Sequence, residues 1–208
     1  MTGRVKSVVV LDYGSGNLRS AQRALMRAGA AVSVTAEPDA ALSCDGLVVP
    51  GVGAFAACMA GLHAVGGEKI ILERVRLGRP VLGICVGMQV LFASGVEHGV
   101  TSTGVGVWPG AVQRLRSGAL PLPHMGWNTV AVPDGSVLFR GLEPDTRFYF
   151  VHSYAARGPV PGALVSWTEH GEPFAAAVES PLVRATQFHP EKSGDAGAVL
   201  LKNWLETI

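Results

Sequence analysis

The sequence predicts an α/β fold: a single domain over 1–208, built on a central mixed, mainly parallel sheet flanked by helices. Three observations predict it. The first half alternates short β-branched runs with helical patterns, as a parallel sheet with crossover helices requires. The second half changes to short strands separated by Gly and Pro turns, which is the habit of antiparallel pairing. A chain of 208 residues with 48% hydrophobic and 16% charged residues can bury one large core without dividing.

The run Ser-Val-Val-Val-Leu at 7–11 predicts the first strand. Over 18–28, Leu18, Ala21 and Leu25 fall on helical spacing, and Gly29 supplies a C-terminal stop. The unit then repeats: strands are expected at 32–35 and 46–49, and a helix at 68–77 leads into a fourth strand at 80–84. From about residue 105 strands are expected at 105–115, 129–132, 147–151, 163–167, 174–179 and 183–187. A last helix at 194–206 offers Val199, Leu200 and Trp204 to the core. There is no internal repeat and no linker.

Composition narrows the function. With 17 basic and 16 acidic side chains the formal net charge is +1, which leaves no overall field to gather nucleic acid or an anionic membrane. The apolar run at 8–11 stops at Asp12, well short of the roughly 20 residues a membrane span needs. A cytoplasmic protein is expected. Three cysteines, Cys44, Cys58 and Cys85, have no C-x-x-C spacing and cannot all pair, so they read as reduced thiols, with Cys44 and Cys58 as small buried hydrophobes.

Cys85 is different. It lies in Gly83-Ile84-Cys85-Val86-Gly87, where a buried strand runs into a helix with glycines two before and two after the thiol. The serine version of this spacing is the nucleophile elbow, whose sharp turn lifts the side chain clear of the sheet edge. A thiolate at a helix N-terminus also meets the positive end of the macrodipole. A base and an orienting acid are available in Gln187-Phe188-His189-Pro190-Glu191-Lys192-Ser193. Pro190 pushes His189 out of helical geometry.

Of the other histidines, His63, His98 and His170 read as surface or satisfied residues, while His124 and His152 fall in denser motifs. No histidine pair has metal-ligand spacing, so no metal and no cofactor is expected. Gly51-Val52-Gly53 follows the third strand, where a glycine-rich turn can direct backbone amides at a developing oxyanion. Gly14-Ser15-Gly16 lacks the third glycine of a phosphate cradle, which ranks that reading low.

Together, Pro50-Gly51-Val52-Gly53, Gly83-Ile84-Cys85-Val86-Gly87-Met88-Gln89 and Gln187 to Ser193 give a chain that resembles the class I glutamine amidotransferases over nearly its whole length. The resemblance implies their flavodoxin-like fold. Within them it is most similar to the glutaminases that feed a (β/α)8-barrel synthase (cyclase) of histidine biosynthesis, through Asp12 to Leu18, Pro123 to Asn128 and Tyr149 to Tyr154. It implies a catalytic triad of Cys85, His189 and Glu191, and an oxyanion hole from the amides of Val86 and of Gly53, or of Val52 after a peptide rearrangement. It places Gln89, Ser153 and Tyr154 on the glutamine substrate. It places Asn17, Met125, Trp127 and Lys192 at the interface of a heterodimer with the barrel subunit. A free-standing cysteine hydrolase such as a γ-glutamyl hydrolase, and a non-catalytic module on the same scaffold, are the competing readings.

Overall fold

The computed structural model describes residues 4–208. In chain order the elements are β1 (Ser7–Leu11), α1 (Leu18–Arg27), β2 (Ala31–Thr35), α2 (Pro38–Ser43), β3 (Gly46–Gly51), α3 (Phe55–Ala64), α4 (Gly67–Arg76) and β4 (Val81–Cys85). A one-turn helix α5 (Val86–Gln89) follows, then β5 (Phe92–Glu97), β6 (Val100–Thr103), β7 (Trp108–Arg114), β8 (His124–Thr129), β9 (Arg147–His152) and β10 (Tyr154–Ala156). The chain closes with β11 (Leu164–Glu169), β12 (Pro173–Glu179), β13 (Val183–Thr186), a 3-10 turn (Pro190–Lys192) and α6 (Gly194–Leu205).

A seven-stranded sheet in the order β11-β12-β13-β4-β3-β1-β2 forms the centre. Its pairs from β13 to β2 are parallel, and β11 and β12 add an antiparallel edge. The inner strands β3, β4 and β13 are buried along their whole length; β3 and β4 accordingly read as apolar runs rather than alternations, while β13 also buries Arg184 and Thr186. Helix α1 turns Ala21 and Leu25 inward, is capped by the Asn17 side chain accepting from Ser20 N–H at 3.3 Å, and ends before Gly29 at φ 105°. Trp204 and Leu200 of α6 are fully buried, whereas Val199 faces outward: it lies one position, about 100° of helix, from Leu200.

The later strands do not all join the central sheet. Strands β10, β7, β5 and β6 form a separate four-stranded sheet, and β8 with β9 an antiparallel ribbon. The strand expected at 129–132 is displaced to His124–Thr129; beyond Thr129 only Ala131 bridges, to Trp167. Proline at 133 and the turn behind it end the extended run there. No helix among the described residues is long and apolar enough to cross a membrane by itself.

A buried cation secures the first half. Arg74 of α4 is fully enclosed and donates to the carbonyls of Ala41 (2.6 Å), Cys44 (3.1 Å), Asp45 (3.1 Å) and Pro80 (2.9 Å). One guanidinium therefore satisfies the end of α2 and the entrance to β4 together.

Candidate active site

Parallel packing brings the ends of β3, β4 and β13 side by side, with Gly51 opposite Cys85 and Thr186 opposite Ile84. The carboxyl edge of such a sheet is where ligands bind in open α/β folds. Cys85 ends β4 at φ 56° and ψ −114°, a conformation rarely taken by a residue with a side chain, and one that the surrounding backbone must enforce. The flanking glycines show how. A Cβ at Gly87 would lie 1.8 Å from the Val49 carbonyl oxygen, one at Gly83 would lie 2.8 Å from the Gly87 oxygen, and one at Gly51 would lie 2.5 Å from the Gly87 nitrogen. The G-x-C-x-G spacing is thus a steric requirement of three backbones crossing. The helix behind the thiol is a single turn, so the favourable field at Cys85 is that of a few local amides, not of a long macrodipole.

His189 follows β13 in extended geometry (φ −100°, ψ 96°), as its position before Pro190 predicts. Its amide donates to Tyr149 O at 2.9 Å, and Ser193 Oγ donates to its carbonyl at 2.7 Å. The ring is held on one side by Glu191, whose Oε1 lies 2.7 Å from Nδ1 with both side chains buried. Cys85 shares the wall of one cavity with the ring. Burial opposes charge on the imidazole, but the neighbouring Cys85 and Glu191 outweigh it and raise the His189 pKa to about 9.

Cys85 and His189 line a cavity of about 210 Å³ together with Val52, Gly53, Val86, Gln89, Ser153, Tyr154 and Lys192. The structure therefore gathers every residue expected for the triad, oxyanion hole and substrate, with Glu191 behind His189. A larger cleft of about 340 Å³ near Val130 and Phe148 holds neither a cysteine nor a histidine. The Val52 amide is turned away from the thiol: it donates to Ser15 Oγ at 3.1 Å, and Ser15 Oγ and Cys58 Sγ lie 2.9 and 3.3 Å from the Val52 carbonyl. Gly53 sits at φ 86° in open space. Gln89 Nε2 donates to Tyr154 O at 2.8 Å and to Gln187 Oε1 at 3.0 Å, which leaves its own oxygen free for a ligand.

Four pocket or supporting residues escaped the sequence reading. Glu97 of β5 lines the cavity while accepting from the Phe55 amide at 3.0 Å. Gln187 stands 3.8 Å from Cys85 Sγ, inside a motif whose assigned members are His189, Glu191 and Lys192. Ser15 and Cys58 hold the Val52 peptide, a role that neither the Gly14-Ser15-Gly16 turn nor the reading of Cys58 as a buried hydrophobe implies. Across β8 and β9, Met125 and Trp127 are 62% and 53% exposed. Trp127 meets Tyr149 edge-on at 5.9 Å between ring centroids, and Lys192 Nζ lies 5.9 Å from that tyrosine ring. Three of the four expected interface residues thus border one surface. Asn17, the fourth, already serves as the cap of α1.

A cysteine on an elbow, with a histidine and carboxylate behind it and a small cavity in front, is the arrangement of a cysteine-dependent amidohydrolase. Residues 9–208 match the family model described as Glutamine amidotransferase class-I, and the chain belongs to that family. Proteins named imidazole glycerol phosphate synthase subunit HisH are similar to it over nearly their whole length. The one from Mycobacterium bovis is 66% identical over 205 residues, 98% of each chain. The one from Corynebacterium diphtheriae is 58% identical over 212 residues, 98% of this chain and 100% of the other. Among solved structures, one described as a glutamine amidotransferase has a TM-score of 0.74 at 21% identity, covering 96% of this chain and 99% of that one. The structure of PurLQS from Thermotoga maritima has a TM-score of 0.70 at 20% identity, covering 98% and 99%. These two likenesses speak for the fold.

Proposed function

We propose that Cys85, His189 and Glu191 carry the glutaminase reaction, and that the released ammonia passes to a (β/α)8-barrel synthase subunit bound as a heterodimer. The chain is the glutamine-hydrolysing subunit of an imidazole glycerol phosphate synthase of histidine biosynthesis. The observation that carries the site reading is the His189–Glu191 contact of 2.7 Å behind a thiol held on a strained turn.

The Cys85 thiolate attacks the side-chain amide carbon of glutamine, forming a C–S bond while negative charge moves to the amide oxygen. Collapse expels the nitrogen, which takes a proton from the His189 imidazolium and leaves as ammonia. The glutamyl thioester no longer carries the sulfur charge that keeps His189 protonated, so the imidazole turns into a base. Neutral His189 then takes a proton from water as its oxygen attacks the thioester; glutamate leaves, and the thiolate and imidazolium are restored. Glu191 holds the Nδ1–H tautomer throughout.

Both tetrahedral intermediates need donors for their oxyanion, and the amides of Val86 and Gly53, two residues of the cavity wall, are assigned that role. Val52 would join only after its peptide releases Ser15. The Glu97 carboxylate is the acidic group available for the substrate's ammonium, and Gln89, Ser153 and Tyr154 line the remaining wall. Free ammonia is mostly protonated near neutral pH, so a partner that encloses it is part of the chemistry. Met125, Trp127 and Lys192, with Asn17, are the docking residues of this reading, and the cytoplasm is its compartment.

Glutamate release from glutamine, measured with the chain alone, with the barrel subunit and with the acceptor nucleotide added, tests the assignment. Release should be low alone and rise on assembly. Full turnover without a partner would instead favour a free-standing hydrolase, and failure of a glutamine-analogue electrophile to label Cys85 in the complex would remove the catalytic reading.

A further inference from the structure

Two buried histidines have no part in the chemistry above. His124 opens β8 and His152 ends β9, directly opposite in the register of the ribbon. His124 Nδ1 lies 3.2 Å from His152 Nε2, and His152 Nδ1 lies 2.9 Å from the carbonyl oxygen of Tyr154. On the far side, Asn128 Nδ2 approaches His124 Nε2 at 3.4 Å while donating its other hydrogen to Glu169 O at 2.9 Å.

The proton positions follow by elimination. A carbonyl oxygen only accepts, so His152 carries its hydrogen on Nδ1. A neutral imidazole has one N–H, so Nε2 of His152 must accept, and His124 must carry its own hydrogen on Nδ1. His124 Nε2 is then an acceptor facing the Asn128 amide. Both rings are held neutral: burial, then the neighbouring His170, pulls the His124 pKa down to about 4. Burial outweighs the Tyr154 hydrogen bond and pulls that of His152 down to about 3.

The series does not stop at Tyr154. Its carbonyl also accepts from Gln89 Nε2 at 2.8 Å; Gln89 gives its second hydrogen to Gln187 Oε1 at 3.0 Å, and Gln187 Nε2 is 3.8 Å from Cys85 Sγ. A continuous line of hydrogen bonds thus joins Asn128, on the strand whose outer face bears Met125 and Trp127, to the nucleophile. His152 itself lines the cavity.

We infer that His124 and His152 are positioning residues of the glutaminase site: as two neutral Nδ1–H tautomers they fix the Ser153–Tyr154 wall that receives glutamine and tie it to β8. This rests on the glutaminase reading of the cavity. A purely space-filling pair would behave otherwise. His124 stacks on Phe150 at 4.9 Å and on His170 at 4.3 Å, so aromatic bulk alone would satisfy packing here.

The test uses the full chain assembled with the barrel subunit. H152F keeps the bulk and removes both bonds; H152N keeps a donor where Nδ1 stands. The expected result is a KM for glutamine raised about tenfold in H152F, the size of effect one lost buried hydrogen bond produces, with kcat within about twofold, and a KM largely restored in H152N. Equal KM values in the two variants, or a change confined to kcat, would overturn the inference. Long-range proton–nitrogen spectra of the wild type add a readout that needs no variant: both rings should be Nδ1–H tautomers that stay neutral to below about pH 5, and an Nε2–H tautomer on either ring would end the proposal. If H152F does not fold, N128D serves instead. It sets a carboxylate against His124 Nε2, so His124 should acquire a hydrogen there and KM should rise several-fold; an unchanged KM and tautomer would count against the coupling. A wild-type complex that releases no glutamate at all would show that the glutaminase reading itself has failed, a result distinct from any of these.

Discussion

At the scale of single residues, the charge state of His189 decides both halves of the proposed reaction. Its pKa is raised from 6.5 to about 9 in the folded chain, against burial, by Cys85 and Glu191. The folded state therefore binds this proton more tightly than the unfolded state does. The resulting stabilisation is fully present below about pH 6.5 and is lost as pH rises through about 9. Denaturant unfolding followed from pH 6 to 10, with the His189 ring titrated by NMR, should show stability falling over that alkaline window. C85A removes the sulfur contribution and should move both the titration and the loss to lower pH. A wild-type ring titrating near 6.5 would contradict the proposed pairing. Glu191 was legible from its two-residue spacing after His189, because Pro190 stiffens the link. Ser15, Cys58 and Gln187 were not, since a hydrogen bond to a distant backbone or thiol leaves no local pattern in the chain.

At the scale of elements, the junction of β4 and α5 is the part the sequence describes most fully. Glycine at 83 and 87 has a mechanical reason: β3 approaches Gly87, and the turn folds its own Gly87 carbonyl back onto Gly83. Gly87→Ala would drive a methyl group into the Val49 carbonyl and should cost about 3 kcal/mol or more of stability. Thermal melts would read the loss, and any folded fraction should react slowly with a glutamine-analogue electrophile. A melt unchanged from wild type would refute the steric account of this turn. The inner parallel strands β1, β3 and β4 were readable because they are buried on both faces and so form plain apolar runs. The residues from 92 to 156 were harder. Their strands find partners in two further sheets, and the choice of partner is a long-range matter that local composition does not carry. Val130 to Val132 has the composition of a strand yet only bridges, while the ribbon strand before it is interrupted by Gly126 at φ 136° and looks less extended than it is.

For the whole molecule, the ribbon of β8 and β9 presents Met125 and Trp127 to solvent on one face and His124, Phe148, Phe150 and His152 to the interior on the other. An exposed tryptophan braced by Tyr149 and bordered by Lys192 is the type of anchor that dominates protein interfaces. Replacing Trp127 with alanine should weaken binding of the barrel subunit by about 2 kcal/mol, roughly thirtyfold, with the melting temperature of the isolated chain little changed. Isothermal titration of the two subunits would measure it. Unaltered affinity would move the interface elsewhere on the surface.

The resting grip of Ser15 on the Val52 amide has a practical consequence for covalent reagents. A compound that alkylates the thiol by direct displacement at a saturated carbon generates no oxyanion, so its rate should be nearly the same for the isolated chain and the complex. A reagent that must pass through a tetrahedral adduct, such as an activated ester of glutamate, gains from the Val52 amide once Ser15 releases it and should discriminate between the two. The ratio of the two labelling rates at Cys85 would therefore report on the Val52 peptide in solution, and inhibitors of the second kind would select the assembled enzyme.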